Sequence, residues 1–175
     1  GQRGAHKAPP PLLWRERIAV VADTARGLEF LHALADPPII HQDIKSANIL
    51  LGTNDSGELI AKLADFGTAR IAPKLLDDTH VSTMTVVGTG PYMPPEYTQE
   101  GHVSEKTDTY AFGVVLLEIL TGLFPKDPRS NQPLALAMAP ALDNPTELLP
   151  HLLDRRAGAW DTNAALALAA IARGC

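Results

Sequence analysis

His41-Gln42-Asp43-Ile44-Lys45-Ser46-Ala47-Asn48 is a polar stretch set between two short apolar runs, Ile39-Ile40 and Ile49-Leu50-Leu51. A third apolar run, Leu59 to Leu63, follows Asn54-Asp55-Ser56-Gly57, whose turn chemistry joins it to the second run as a small β hairpin. Asp65-Phe66-Gly67 comes just beyond that hairpin, twenty-two residues after Asp43. Asn48 and Asp65 therefore flank the ends of two adjacent strands, with Asp43 and Lys45 on the loop that leads into them.

Those residue types in that arrangement suit phosphoryl transfer. The reaction needs little covalent help; it needs positioning, a divalent metal and a group that orients the attacking hydroxyl. Mg²⁺ takes hard oxygen ligands, one or two of them from protein, which Asn48 and Asp65 could supply. Asp43 could accept a hydroxyl proton, and Lys45 is close enough to neutralise charge on a transferred phosphoryl group. Singly, each element has a commonplace reading. Asp-Phe-Gly is most often an ordinary loop, His41 a packed core histidine, and Asp43 or Lys45 a solvated charge. Two further segments lie downstream in order: Gly88-Thr89-Gly90-Pro91-Tyr92-Met93-Pro94-Pro95-Glu96, and Asp108 with Tyr110-Ala111-Phe112-Gly113.

Outward from this centre, apolar residues recur at Ile18, Val21, Ala22, Ala25, Leu28 and Leu31, predicting an amphipathic helix over 14–32 that Asp36-Pro37-Pro38 stops. Residues 65–95 show no sustained period and read as a long loop, the kind that tends to be functional. The stretch 107–121 is apolar almost all round, which predicts a central core helix ended by Gly122. Residues 125–150 hold six prolines and two weak helical patches, and 164–172 is an Ala- and Leu-rich helix. The 175 residues suit one domain, with 45% hydrophobic and 20% charged residues. A net charge of −5 argues against a nucleic-acid or anionic-membrane surface. A lone cysteine, Cys175, excludes an internal disulfide. The most apolar run, 111–117, is far short of the roughly 18 residues of a membrane span.

Taken together and in this order, the segments resemble the protein kinase superfamily. Leu13-Trp14, Arg17-Ile18-Ala19, Ala25-Arg26-Gly27-Leu28, Leu31-His32, the run from Ile44 to Leu51, and Phe112 to Glu118 resemble, within it, the plant receptor-like kinases and the Pelle/interleukin-receptor-associated kinases. The resemblance implies a mainly α fold, a kinase C-terminal lobe with a small β hairpin. That lobe would occupy residues 14–175 behind a flexible lead-in at 1–13, and is expected to be truncated at both ends. It implies a protein serine/threonine kinase using ATP and Mg²⁺ or Mn²⁺. Its partners would be protein substrates and signalling adaptors or receptors, in the cytoplasm or on the cytoplasmic side of a membrane receptor. Asp43 would be the catalytic base and Lys45 the γ-phosphate contact. Asn48 and Asp65 would hold the metal, and Thr89 would orient the substrate hydroxyl. His41 and Phe66 would stack in a hydrophobic spine, Asp108 would brace the loop backbone, and Glu96 would pair with an arginine. Thr79, Ser82, Thr83 and Thr85 are candidate phosphate acceptors.

Several departures qualify the resemblance. Gly90-Pro91 inverts the usual order and Pro94 replaces alanine, both where a peptide substrate would lie. Glu96 is expected to lack its arginine partner, which destabilises a lobe. No glycine-rich phosphate loop, strand lysine or partner glutamate precedes residue 14, so these 175 residues alone are expected to have little or no kinase activity; the alternative is a catalytically inactive pseudokinase or lone-lobe scaffold. Gln42 stands where an arginine is usual, and a charge-assisted bond from such an arginine to a loop phosphate is worth about 1.5–3 kcal/mol. Activity of the intact kinase should therefore depend less on loop phosphorylation than in its relatives; phosphatase treatment that abolished it completely would refute this.

Overall fold

The computed structural model describes residues 9–71, 81–82, 87–100 and 102–175. α1 (Trp14–Glu29) is held at its start by Glu16, whose carboxylate accepts from Leu13 N at 2.7 Å. It buries Arg17, Val20, Val21, Thr24 and Leu28, a face rotated from the one the spacing marks out: Val21 and Leu28 are shared, whereas Ile18 and Ala22 are half-buried and Ala25 is exposed. Its last turn widens into a π turn, Phe30–Leu34, closed by Ala35 N donating to Phe30 O at 2.8 Å. β1 (Ile39–Ile40) then opens the polar stretch. β2 (Ile49–Thr53) and β3 (Leu59–Leu63) pair antiparallel in the register Ile49↔Leu63 to Thr53↔Leu59. Asn54 Oδ1 builds their turn by accepting from Ser56 N and Glu58 N at 3.0 and 2.9 Å. α1 lies against this hairpin, and Asp23 accepts from Ala61 N at 2.8 Å to tie helix to strand.

The described residues of the stretch 65–95 include short strands that its lack of period does not reveal. β4 (Arg70–Ile71) pairs with β1, and β5 (Val81–Ser82) pairs with β6 (His102–Val103). α2 (Pro95–Glu100) lies between β5 and β6. Two-residue strands are too short to show an alternation, so only their partners reveal them.

α3 (Glu105–Thr121) begins with a reciprocal cap. Ser104 Oγ accepts from Lys106 N, and Thr107 Oγ1 accepts from Ser104 N. Its first turns expose Glu105, Lys106 and Thr109, but from Ala111 to Leu117 it is buried on all sides, with Val114 to Leu117 and Leu120 at the centre of the main core. α4 (Leu134–Asp143) and α6 (Thr162–Gly174) pack on it, α6 more extensively, α5 (Pro145–Leu148) packs on α4 and α6, and Asp161 caps α6 by accepting from Ala164 N at 2.8 Å.

One ionic hub joins the two ends of the sequence. Arg17, buried on α1, donates to Asp154 Oδ2 at 2.7 Å, to Ile119 O at 2.8 Å and to Leu12 O at 3.0 Å. Leu12, within the segment expected to be a flexible lead-in, thus packs on the core and is anchored by this arginine. Asp154 Oδ1 accepts from Arg156 N and Nε, while Arg156 Nη2 donates to Gly122 O. Gly122 ends α3 with φ 64°, and a Cβ there would fall 2.3 Å from Asp154 Oδ2, so conformation and space both demand glycine. Burial alone would push the Asp154 carboxyl up, but hydrogen bonds from Arg156 and Arg17 outweigh it and hold it down at about 2.

Removing one partner of a buried, hydrogen-bonded ion pair leaves a charge uncompensated. Asp154→Ala is therefore expected to cost about 3–5 kcal/mol in urea unfolding. The folded-state pKa is depressed, so the stabilisation from Asp154 is complete above the ordinary value of 3.8 and is lost as pH falls from there towards about 2. Stability curves for the parent and for Asp154→Ala should converge across that window; curves that stay parallel would refute the assignment.

Candidate active site

Asp108, at the first turn of α3, is 1% exposed, yet every lone-pair direction it needs is filled. Its Oδ2 accepts from His41 N at 2.7 Å and faces His32 Nε2 at 2.9 Å, and its Oδ1 accepts from Gln42 N at 2.8 Å. Two consecutive backbone N–H groups are thereby clamped to one carboxylate. Gln42 has φ 67°, a left-handed conformation that a non-glycine residue holds only when its surroundings impose it. The clamp reverses the chain and delivers Asp43.

The His41 ring is fully buried. Its Nδ1 accepts from Asp43 N at 3.3 Å, so the proton sits on Nε2, which donates to Ala64 O at 3.1 Å. The Phe66 ring lies 4.8 Å away, centroid to centroid, at 55°. His41 thus links the polar loop to the Asp-Phe-Gly segment. Thr68 Oγ1 reinforces the link by donating to His41 O at 3.1 Å.

Three side chains meet at Asp43. Thr89 Oγ1 donates to its Oδ1 at 2.7 Å, Lys45 Nζ to its Oδ2 at 2.6 Å, and Asn48 Nδ2 to the same Oδ2 at 3.1 Å. Lys45 Nζ also donates to Thr89 Oγ1 at 3.0 Å, closing a ring of three groups. Burial pushes the Asp43 carboxyl up, but hydrogen bonds from Lys45, Thr89 and Asn48, with the Lys45 charge, bring it below the ordinary 3.8.

Asn48 ends a 3₁₀ turn, Ser46–Asn48, and also donates Nδ2 to Asp43 O at 2.9 Å. Its NH₂ is therefore committed, and Oδ1 has no protein partner among the described residues. Ala64 N donates to Asn48 O at 2.9 Å, so Asp65 emerges beside Asn48 at the same end of the hairpin. Asp65 is exposed, with φ 64° and ψ 68°, and among the described residues its carboxylate has no hydrogen-bond partner. Two hard oxygen donors on one edge, with their neighbours' hydrogen bonds satisfied elsewhere, form a donor set that suits Mg²⁺ completed by phosphate and water.

A model of the protein kinase domain matches residues 12–148. The chain belongs to the protein kinase domain family. It is 41% identical over 181 residues to the Probable receptor-like protein kinase At2g47060 of Arabidopsis thaliana, covering 100% of this chain and 47% of the relative. It is 41% identical over 184 residues to Chitin elicitor receptor kinase 1 of Physcomitrium patens, covering 95% and 27%. With the Probable serine/threonine-protein kinase PBL11 of Arabidopsis thaliana it shares 44% over 170 residues, covering 94% and 41%. The kinase domain described here is thus of the receptor-like/Pelle type, and the chain spans less than half the length of these relatives. Among the described residues no helix is long and apolar enough to cross a membrane.

Thr79, Thr83 and Thr85 lie outside the described residues, as do the side chains of Ser82 and Glu96. One network of the kinase domain escaped the sequence reading. Tyr92 OH and Ser46 Oγ, 3.2 Å apart, donate to the two oxygens of Glu118 at 2.8 and 3.1 Å. Burial raises Tyr92 to about 12 and also raises Glu118. A glutamate inside the apolar run 114–120 is the signal that could have found it: such a charge must either face out or find donors.

Gln42 presents the opposite case. It is 5% exposed, and neither its Oε1 nor its Nε2 has a partner among the described residues. A buried amide left unmade costs about 1–3 kcal/mol. Gln42→Met, close in shape and free of polar hydrogen-bonding groups, is expected to raise unfolding stability by about 1 kcal/mol; a loss of similar size would show that the amide is satisfied.

Proposed function

We propose that this lobe supplies the phosphoryl-transfer centre of a protein serine/threonine kinase, moving the γ-phosphate of ATP to a Ser or Thr hydroxyl of a protein substrate on the cytoplasmic side of the cell. The reading rests on the convergence of Lys45, Thr89 and Asn48 on the one carboxylate of Asp43. Family membership and relatives named as serine/threonine kinases support it.

Asp43 holds the substrate hydroxyl and takes its proton as that oxygen bonds to phosphorus and the bond to ADP breaks. Its depressed pKa makes it a weak base but keeps it ionised, which suits a loose transition state where the proton leaves late. Thr89 now occupies the oxygen that an incoming hydroxyl would share, so it fixes where that hydroxyl can sit. Lys45 lies between Asp43 and Thr89, placed to turn its ammonium towards a phosphoryl oxygen. Asn48 Oδ1 and the Asp65 carboxylate would hold Mg²⁺ or Mn²⁺, which neutralises and orients the phosphate oxygens when bound. His41, Phe66 and Asp108 hold this geometry without touching the reacting atoms.

In the full-length natural protein, Asp43→Asn is expected to lower kcat for peptide phosphorylation by about 10²–10⁴ with the KM for ATP little changed. Asp65→Ala should weaken dependence on Mg²⁺ and ATP together. Because Asp43 lies below 3.8, the pH–rate profile should show no inflection from it at or above that value. Full activity in Asp43→Asn, or no transfer by the unmodified protein, would favour a scaffold over an enzyme.

A further inference from the structure

We propose that Tyr97 is a positioning residue for substrate phosphorylation, an inference that rests on the function proposed above. Tyr97 lies on α2 and is 1% exposed, its ring packed with Ile40, Val103 and Met93 in a small core separate from the main one. That packing needs only the ring. The hydroxyl does something else: it accepts from Val87 N at 2.8 Å and donates to Val87 O at 2.8 Å, so one oxygen satisfies both backbone groups of one residue.

Val87 is two residues from Thr89, and the residue between them is pressed on the Asp43 loop. Gly88 has φ 127°, and a Cβ there would stand 2.8 Å from Gln42 O. Segment 87–89 is therefore pinned at three successive points: Val87 by the Tyr97 hydroxyl, Gly88 by close backbone approach to Gln42, and Thr89 by its 2.7 Å bond to Asp43 Oδ1. Ile40 contacts Tyr97 and directly precedes His41, so the same small core also backs the loop that carries Asp43. Tyr97 thus holds the two halves of the hydroxyl-orienting pair, Thr89 and Asp43, against one another from behind.

Tyr97→Phe keeps the ring and removes the one atom that holds Val87. In the full-length natural protein it is expected to lower kcat for peptide phosphorylation about tenfold, the effect of losing roughly one buried hydrogen-bond unit of positioning. Hydrolysis of ATP to water, which needs no peptide hydroxyl set between Thr89 and Asp43, should remain within about twofold. A merely structural role would reduce the active fraction and lower both rates in parallel, so parallel loss, or no loss, overturns the proposal. Amide exchange of Val87 gives a readout independent of catalysis. It should quicken at least tenfold in Tyr97→Phe while Leu116 and Leu120 are unaffected; unchanged exchange at Val87 overturns the anchoring. If the natural protein transfers no phosphate, the proposed function fails, and the exchange experiment alone decides whether Tyr97 anchors segment 87–89.

Discussion

The Asp108 carboxylate is the constraint on which the rest of the site depends. A buried charge is costly unless its lone pairs are satisfied, and here two backbone N–H groups and one imidazole nitrogen satisfy it. The exchange works in both directions. The loop offers N–H groups that no helix or sheet would take up, and the helix offers a carboxylate that could not otherwise remain inside. Because the two N–H groups are consecutive, the chain must turn sharply at Gln42, and Asp43 is aimed by that turn rather than by any packing of its own. The rigidity of α3, buried all round from Ala111 to Leu117, is thereby transmitted to a loop that has almost no regular structure.

The parts of the fold that could be read from sequence are those with enough residues to show a period or a turn. The core helix, read at 107–121 and found at Glu105–Thr121, the 49–63 hairpin and the start of α1 all announce themselves in this way. The pairings of Ile39-Ile40 with Arg70-Ile71 and of Val81-Ser82 with His102-Val103 do not, because two residues cannot alternate. Within the site, the spacing of Asp43, Lys45, Asn48 and Asp65 was legible because all four lie on or beside one hairpin. Thr89 could be placed only through the family resemblance. Tyr97 holds Val87 and Gly88 presses on Gln42 O, and nothing local in the sequence states these contacts.

Polar burial in this lobe falls into three kinds with different energetics. Asp154 and Asp108 are fully partnered and serve as joints between segments far apart in sequence. Among the described residues Glu118 is partnered only by hydroxyls, Tyr92 and Ser46, so burial raises its pKa where the arginines lower that of Asp154. Gln42 has no described partner and carries its desolvation as a net cost. The difference follows from what each neighbour can donate: guanidinium groups give charge and geometry together, hydroxyls give geometry alone.

The arginine–aspartate hub also bears on the order in which the lobe can assemble. Arg17 and Asp154 are separated by 137 positions, so the chain leaves the ribosome with α1 complete long before its counter-charge exists. Until then, seating α1 on α3 would bury a guanidinium without its carboxylate, and Asp23 can fasten α1 only to the hairpin. A contact of such high sequence separation is thus made late, when the closing entropy of the long loop has already been offset by the contacts inside it. In vectorial synthesis the helix waits for Asp154 to lock it.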